Sequence, residues 1–170
     1  MAKKSNKSVP REVIQGEIQK TLGMPPGTDL EKKIFDFPSI KKDGSRENVI
    51  EKKPYVVLKY FQQGWECFSA WDKSELKLFS DFIQKLSNTT WNNIYSTGGK
   101  GNKTGFGYTK YNISDMKSGE DTLKNIQRLI SNDLTFFELR INKKLRVHGF
   151  QSQSAFFLVM LDRDHRVFPD

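Results

Sequence analysis

The chain has 170 residues, which is enough for one domain of ordinary size and short for two. Hydrophobic residues make up 36% and aromatic residues 12%, which supplies a core and argues against wholesale disorder. The single cysteine excludes an internal disulfide and a multi-cysteine zinc site. No segment approaches the roughly 20 apolar residues that span a bilayer, and the basic start lacks the apolar stretch of a secretory signal. We therefore expect a cytoplasmic protein without membrane association.

The net charge of +8 is the first indication of a partner. A positive field of this size attracts polyanions and raises their encounter rate. RNA, free or within the ribosome, is therefore the first partner to consider. The alternative is that the lysines are simply solvated.

Residues 1–53 are predicted to be a basic tail, a helix and an extended arm. Apolar residues recur at helical spacing over residues 11–22, and Gly23 with the two prolines that follow ends the pattern. Residues 27–53 are mostly polar, with Phe35 and Phe37 as isolated apolar positions. Residues 11–53 are thus a candidate segment for binding another protein.

Residues 54–170 are predicted to form one α+β domain. Runs rich in β-branched and aromatic residues predict strands at 55–61, 65–70, 134–141, 145–150, 155–161 and, at the end, 166–168. A capping-box pattern at Asp72 and Glu75 begins one helix, with apolar positions Phe79, Phe82, Ile83 and Leu86. A second helix is expected over 119–130, using Leu123, Ile126, Leu129 and Ile130. The expected fold is a mostly antiparallel sheet with two or three packing helices.

Both histidines lie near the C-terminus, among arginines and aspartates. Strand alternation places Arg146 and His148 on one face, and the end of the next strand carries Asp162 and His165 into a loop. Such a set suits metal-independent RNA cleavage, in which a base activates the 2′-hydroxyl, an acid protonates the leaving oxygen and a cation stabilises the phosphate. We take Arg146, His148, His165 and Asp162 as candidate catalytic residues. The alternative is structural: His148 is a strand residue, His165 lies in a turn, and the arginines pair with nearby acids.

A glycine-rich segment, STGGKGNKTGFGYTKY at residues 96–111, contains three lysines and no acid. It does not match the P-loop or the dinucleotide fingerprint, so it is either a mobile connector or a loop that touches an RNA backbone. Tyr108 and Tyr111 either stack on bases or anchor the loop. The candidate nucleic-acid-binding residues are Lys100, Lys103, Lys110, Arg140, Lys143, Lys144 and Arg166. Asp162, Asp164 and His165 form no recognised ligand spacing, so we expect no metal and no cofactor.

The segment FFELRINKKLRVHGFQSQSAFFLVMLDRDHRVFP, within residues 134–170, resembles the ends of small proteins from bacterial mobile elements and phages. Helices followed by a hairpin-rich sheet with an inner-strand arginine also resemble RelE/HigB-type toxins. That resemblance implies a small basic endoribonuclease that acts on messenger RNA and has a cognate antitoxin. It implies that Arg146 stabilises the phosphate and that His148 or His165 carries the proton. The arm before residue 54 and the loop near residue 100 have no counterpart in those toxins.

Three functions follow as hypotheses. The leading one is a metal-independent endoribonuclease of toxin or phage-defence type. The second is a non-catalytic RNA- or ribosome-binding module that uses the same basic residues. The third is a phage or plasmid protein-interaction factor that binds its partner, an antitoxin or another protein, through residues 11–53.

Overall fold

The computed structural model describes residues 28–36, 38–98 and 105–169, and the chain divides into two units, Met1–Phe35 and Asp36–Asp170. In the first unit, helix α1 (Asp29–Phe35) begins with a capping box. Glu31 N–H donates to Thr28 Oγ1 at 3.2 Å, and Thr28 N–H donates to a Glu31 carboxylate oxygen at 2.7 Å. The predicted helix at 11–22, Phe37, Lys100 and Lys103 lie outside the described residues.

The larger unit contains a five-stranded sheet in its described part. Its strands are β1 (Tyr55–Val57), β2 (Thr109–Lys110), β3 (Phe137–Arg140), β4 (Arg146–Ser152) and β5 (Ala155–Asp162). Their order is β1-β5-β4-β3-β2, and only β1 pairs in parallel, with β5. The predicted α+β class is confirmed, with the difference that the sheet is mixed.

Helices cover both faces of this sheet. They are α2 (Lys73–Ser87), the short α3 (Trp91–Tyr95) and α4 (Glu120–Ile130). One apolar cluster joins α2 and α3 to inward residues such as Val147 and Leu161. A second cluster joins α4, through Leu123 and Ile126, to the opposite sheet face. The functional side chains predicted on β4 lie on this second face, under α4.

The two long helices begin as the sequence predicted. Asp72 accepts the backbone N–H of Glu75, and the Glu75 carboxylate accepts the N–H of Asp72, so the capping box at α2 is confirmed. Phe79, Phe82 and Leu86 are buried, as are Leu123 and Ile126 of α4. The apolar faces were predicted too broadly: Ile83 is 37%, Leu129 70% and Ile130 38% exposed.

Three predicted strands need correction. The strand expected at 55–61 ends at Val57, because Phe61 N–H turns back to the Leu58 carbonyl at 3.0 Å. The strand expected at 65–70 is instead irregular and includes a 3₁₀ turn, Phe68–Ala70. The expected last strand, 166–168, is a bend held against the end of β5. In each segment, turns or side-chain contacts take the place of the hydrogen bonds of a sheet ladder.

The segment before β1 is held by ion pairs within the larger unit. Lys52 Nζ lies 2.6 Å from Glu47 Oε2 and 3.0 Å from Asp36 Oδ1. The Lys52 carbonyl accepts the N–H of Trp91 at 3.1 Å, which ties this segment to α3. None of the described helices is both long and apolar enough to cross a bilayer.

Candidate functional site

A row of polar side chains crosses the sheet face beneath α4. The β3–β4 register pairs Glu138 with His148, and the β4–β5 register pairs Arg146 with Asp162. His148 Nε2 lies 3.6 Å from Asp162 Oδ2, and Arg146 Nε lies 3.9 Å from Glu138 Oε1. The structure therefore brings three of the four predicted catalytic residues onto one face.

This polar row is covered. His148 and Asp162 are 0% exposed and Arg146 is 8% exposed. The apolar cluster that includes Leu123, Ile126 and Val167 lies over the same face. General acid–base catalysis needs hydrogen-bond contact between the catalytic group and the substrate. Because the imidazole and the carboxylate are fully buried, a phosphate in solution cannot reach them in this conformation.

The buried carboxylate of Asp162 holds the chain that follows β5. Its two oxygens accept the backbone N–H of Arg166 at 2.8 Å and that of Val167 at 3.0 Å. Burial raises the pKa of Asp162, but the nearby His148 ring and these two N–H donors together lower it by more. The pKa of Asp162 therefore lies below its ordinary value. Asp162 is therefore ionised at neutral pH and stabilises the C-terminal bend.

His148 is held by Tyr111 on its other side. The Tyr111 hydroxyl lies 2.8 Å from His148 Nδ1. Burial, followed by the charges of Glu138 and Asp162, raises the pKa of Tyr111 well above its usual value, so the phenol keeps its proton. When that hydroxyl donates to Nδ1, the ring proton of a neutral His148 is on Nε2 and faces Asp162. The 3.6 Å gap is longer than a hydrogen bond, so Nε2 has no hydrogen-bond partner among the residues that the structure describes.

Arg146 supports the turn that precedes β4. Its guanidinium donates to the carbonyls of Asn142 at 2.8 Å, Leu145 at 3.2 Å and Lys143 at 3.3 Å. The Leu145 carbonyl also accepts the N–H of Ile141 at 3.0 Å, so Arg146 adds to the backbone bonding of this turn. The group expected to stabilise a phosphate is thus already engaged with the protein's own backbone.

His165 has a different environment from His148. It lies in the turn after β5 with a φ of 56°, the left-handed region that non-glycine residues rarely adopt, and it is partly exposed. Arg166 beside it lies 4.6 Å above the Trp65 ring and 3.4 Å from the Glu66 carboxylate. Arg166, predicted to contact nucleic acid, therefore already has an aromatic ring and an acid as partners.

The other described candidates for nucleic-acid binding lie on β2, at the end of β3 and in the β3–β4 turn. Lys110 is exposed on β2, and Lys143 and Lys144 are exposed in the β3–β4 turn. Arg140 ends β3, where its N–H donates to the Phe106 carbonyl at 2.6 Å.

A groove lies against the β2–β3 edge of the sheet. Two half-buried tyrosines, Tyr95 and Tyr108, form one wall, with ring centroids 4.9 Å apart and planes at 66°. The remaining lining residues are Lys110, Asp133, Leu134, Thr135, Phe137 and Gln151. The sequence singled out Tyr108, but Tyr95, Asp133 and Gln151 carry no local signal for such a groove. Tyr111, the other predicted stacking residue, points inward to His148.

In the part of the chain that the structure describes, no group of three or more His, Cys, Asp or Glu side chains is arranged to hold a metal ion. Comparison with family profiles, with curated proteins and with solved structures found no match to this chain.

Proposed function

We propose that the chain is a non-catalytic RNA-binding module whose interface is the β2–β3 edge of the sheet. The observation that carries this proposal is that exposed cations lie on the edge strand β2 and in the turn that follows β3. Lys110 is exposed on β2, opposite the start of β3, and Lys143 and Lys144 are exposed in the turn after Arg140, which ends β3. Cations that contact phosphates supply most of the sequence-independent affinity of nucleic-acid-binding proteins.

The composition of the β3–β4 turn favours the same interface. Residues 142–145 contain two lysines and no acid, and both lysines are exposed. Glu138, the acid on β3, is 7% exposed and faces Arg146, so it does not neutralise the edge. The exposed lysines of the β3–β4 turn therefore present positive charge to a polyanion.

Stacking surfaces at the same edge favour a single strand over a duplex. Tyr95 and Tyr108 are half-buried and line a groove together with Lys110. Bases are accessible to aromatic side chains when they are unpaired, and a positive groove with aromatic residues is the usual arrangement in proteins that bind single strands.

RNA cleavage at Arg146, His148 and Asp162 stays a prediction, and the burial of these groups favours the non-catalytic alternative. Catalysis there would need α4 or the bend after Asp162 to move away. The predicted antitoxin and the partner contact through residues 11–53 also stay predictions.

Charge removal at the edge tests the proposal. The full chain is titrated against a labelled unstructured RNA by fluorescence anisotropy, beside Lys143→Gln/Lys144→Gln. The variant should bind more weakly, and its log–log salt slope should be shallower by about 1.4, which corresponds to two lost phosphate contacts.

Lys73→Gln/Lys77→Gln is the matched control, because both lysines are exposed on α2 and the change in net charge is identical. The control should keep the wild-type slope. Equal weakening by both pairs would show that only net charge matters and would overturn the proposed interface. Absence of binding by wild type at low salt would overturn RNA binding altogether.

A further inference from the structure

We infer that the groove between the two tyrosines and Asp133 is a base-specificity site that takes one unpaired guanine. This inference rests on the proposed RNA binding and adds a sequence preference to it. The groove combines a stacking wall, a cation and a carboxylate within one set of lining residues.

The stacking wall is neutral and braced from behind. Phe137 lies 4.9 Å from the Tyr108 ring, and Trp91 lies 5.7 Å from the Tyr95 ring. Burial raises the pKa of Tyr95 to about 12, and it also raises that of Tyr108. Both phenols therefore stay uncharged at neutral pH and do not repel a phosphate.

The two charged residues of the groove suit different parts of a nucleotide. Lys110 is exposed on the edge strand, where an ammonium group can contact the phosphate. Asp133 is exposed, and among the described residues its carboxylate has neither a hydrogen-bond nor an ion-pair partner. Its own N–H donates to Ser131 Oγ at 3.2 Å, which positions the loop. The carboxylate is thus available as an acceptor at the rim.

A carboxylate selects guanine among the four bases. On its Watson–Crick edge guanine presents two adjacent donors, N1–H and the N2 amino group, which match the two carboxylate oxygens. Adenine and cytosine each present one amino donor beside a ring-nitrogen acceptor, which the carboxylate repels. Uracil presents one N–H between two carbonyls. Only guanine therefore gives a paired contact.

A neighbouring groove also includes Asp133 and Lys110 but is a poorer base site. Its aromatic members are Tyr111, whose hydroxyl is engaged with His148, and Phe136, which is 1% exposed. Neither offers a free ring face. The stacked base is therefore placed on the Tyr95–Tyr108 side.

The test compares uridine-rich RNAs that differ at one position, which is guanosine, inosine, adenosine or uridine. The full chain should bind the guanosine RNA about tenfold more tightly than the adenosine RNA. Inosine, which lacks the N2 amino group, should fall between them. Asp133→Asn should abolish the guanosine-to-adenosine ratio, since an amide offers one acceptor, and Asp164→Asn, a change at another exposed acid, should keep it.

The readout is the ratio of the affinities for the guanosine and adenosine RNAs. The affinity for a single RNA would not serve, because removing any negative charge tightens the binding of all RNAs alike. Tyr108→Phe should keep the preference, since the ring remains. Binding of every RNA with equal affinity, or a preference that survives Asp133→Asn, would refute the guanine site and leave RNA binding standing. Failure of every RNA to bind would refute both.

Discussion

Replacing Asp162 with alanine should unfold the protein more easily, because this carboxylate holds the bend after β5. It is 0% exposed and accepts two backbone N–H groups, those of Arg166 and Val167. Alanine leaves the buried N–H of Val167 without a partner and removes the negative charge that faces His148 at 3.6 Å.

The expected loss follows from these contacts. An orphaned buried N–H costs about 1–3 kcal/mol, and Asp162→Ala removes the acceptor of two backbone N–H groups, of which that of Arg166 is only partly buried. We therefore expect a loss of about 2–4 kcal/mol in the free energy of unfolding, a large part of the about 5–15 kcal/mol typical of a domain. Asp164→Ala, two residues further along and exposed, should change it by less than about 0.5 kcal/mol.

Urea unfolding followed by tryptophan fluorescence measures both variants. RNA binding at a temperature where each is folded provides the second readout. A loss below about 1 kcal/mol for Asp162→Ala would refute the structural role of this residue. An Asp162→Ala variant of wild-type stability that had lost an RNA-cleaving activity of the wild type would instead assign Asp162 to catalysis.

Three further outcomes follow from the structure. The pKa of Asp162 lies below its ordinary value in the folded state, so its contribution to stability is present above about pH 4 and is lost as the pH falls below that; acid titrations of unfolding should show this loss in wild type and not in Asp162→Ala. Gly149→Ala should cost about 2–4 kcal/mol in urea unfolding, because its Cβ would overlap a carbonyl oxygen of β5, whereas Gly64→Ala, which meets nothing, should be near neutral. Lys52, and after it the hydrogen bonds from Ser39, lower the pKa of Glu47 to about 2. An NMR titration of Lys52→Met should find this pKa raised part of the way toward its ordinary value, and an unchanged pKa would contradict the pairing.

Local patterns predicted the parts of the fold that depend on short-range chemistry. The capping box at Asp72 and the alternation of Arg146 and Val147 follow from the geometry of one helix and one strand. The structure confirms both. The capping box is present at the start of α2, and Val147 packs in the apolar cluster under α2 and α3 while Arg146 pairs with Glu138 on the other face. The run at residues 155–161 is apolar on both faces, which is typical of an interior strand, and β5 lies between β1 and β4.

Long-range contacts explain where sequence-based prediction failed. The 65–70 segment has strand-like composition, but the Glu66 carboxylate accepts Trp71 Nε1–H at 2.7 Å and Arg163 N–H at 3.0 Å, which holds a turn. Nothing near residue 66 in the sequence indicates a partner 97 residues away. The same holds for His148, whose face is covered by a helix that begins at Glu120. Alternation indicates a shared face but not its solvent access, and access decides between a catalytic and a structural histidine.

A salt titration in EDTA tests RNA binding without cleavage most directly. Wild-type protein is mixed with labelled single-stranded RNA from about 50 to about 200 mM salt, anisotropy gives the affinity, and a gel of the same samples shows the RNA length. We expect the affinity to fall steeply with salt while the RNA stays intact. An affinity that does not change with salt would contradict the basic interface. If wild type shortened the RNA and His148→Ala left it intact, the buried polar row would be catalytic.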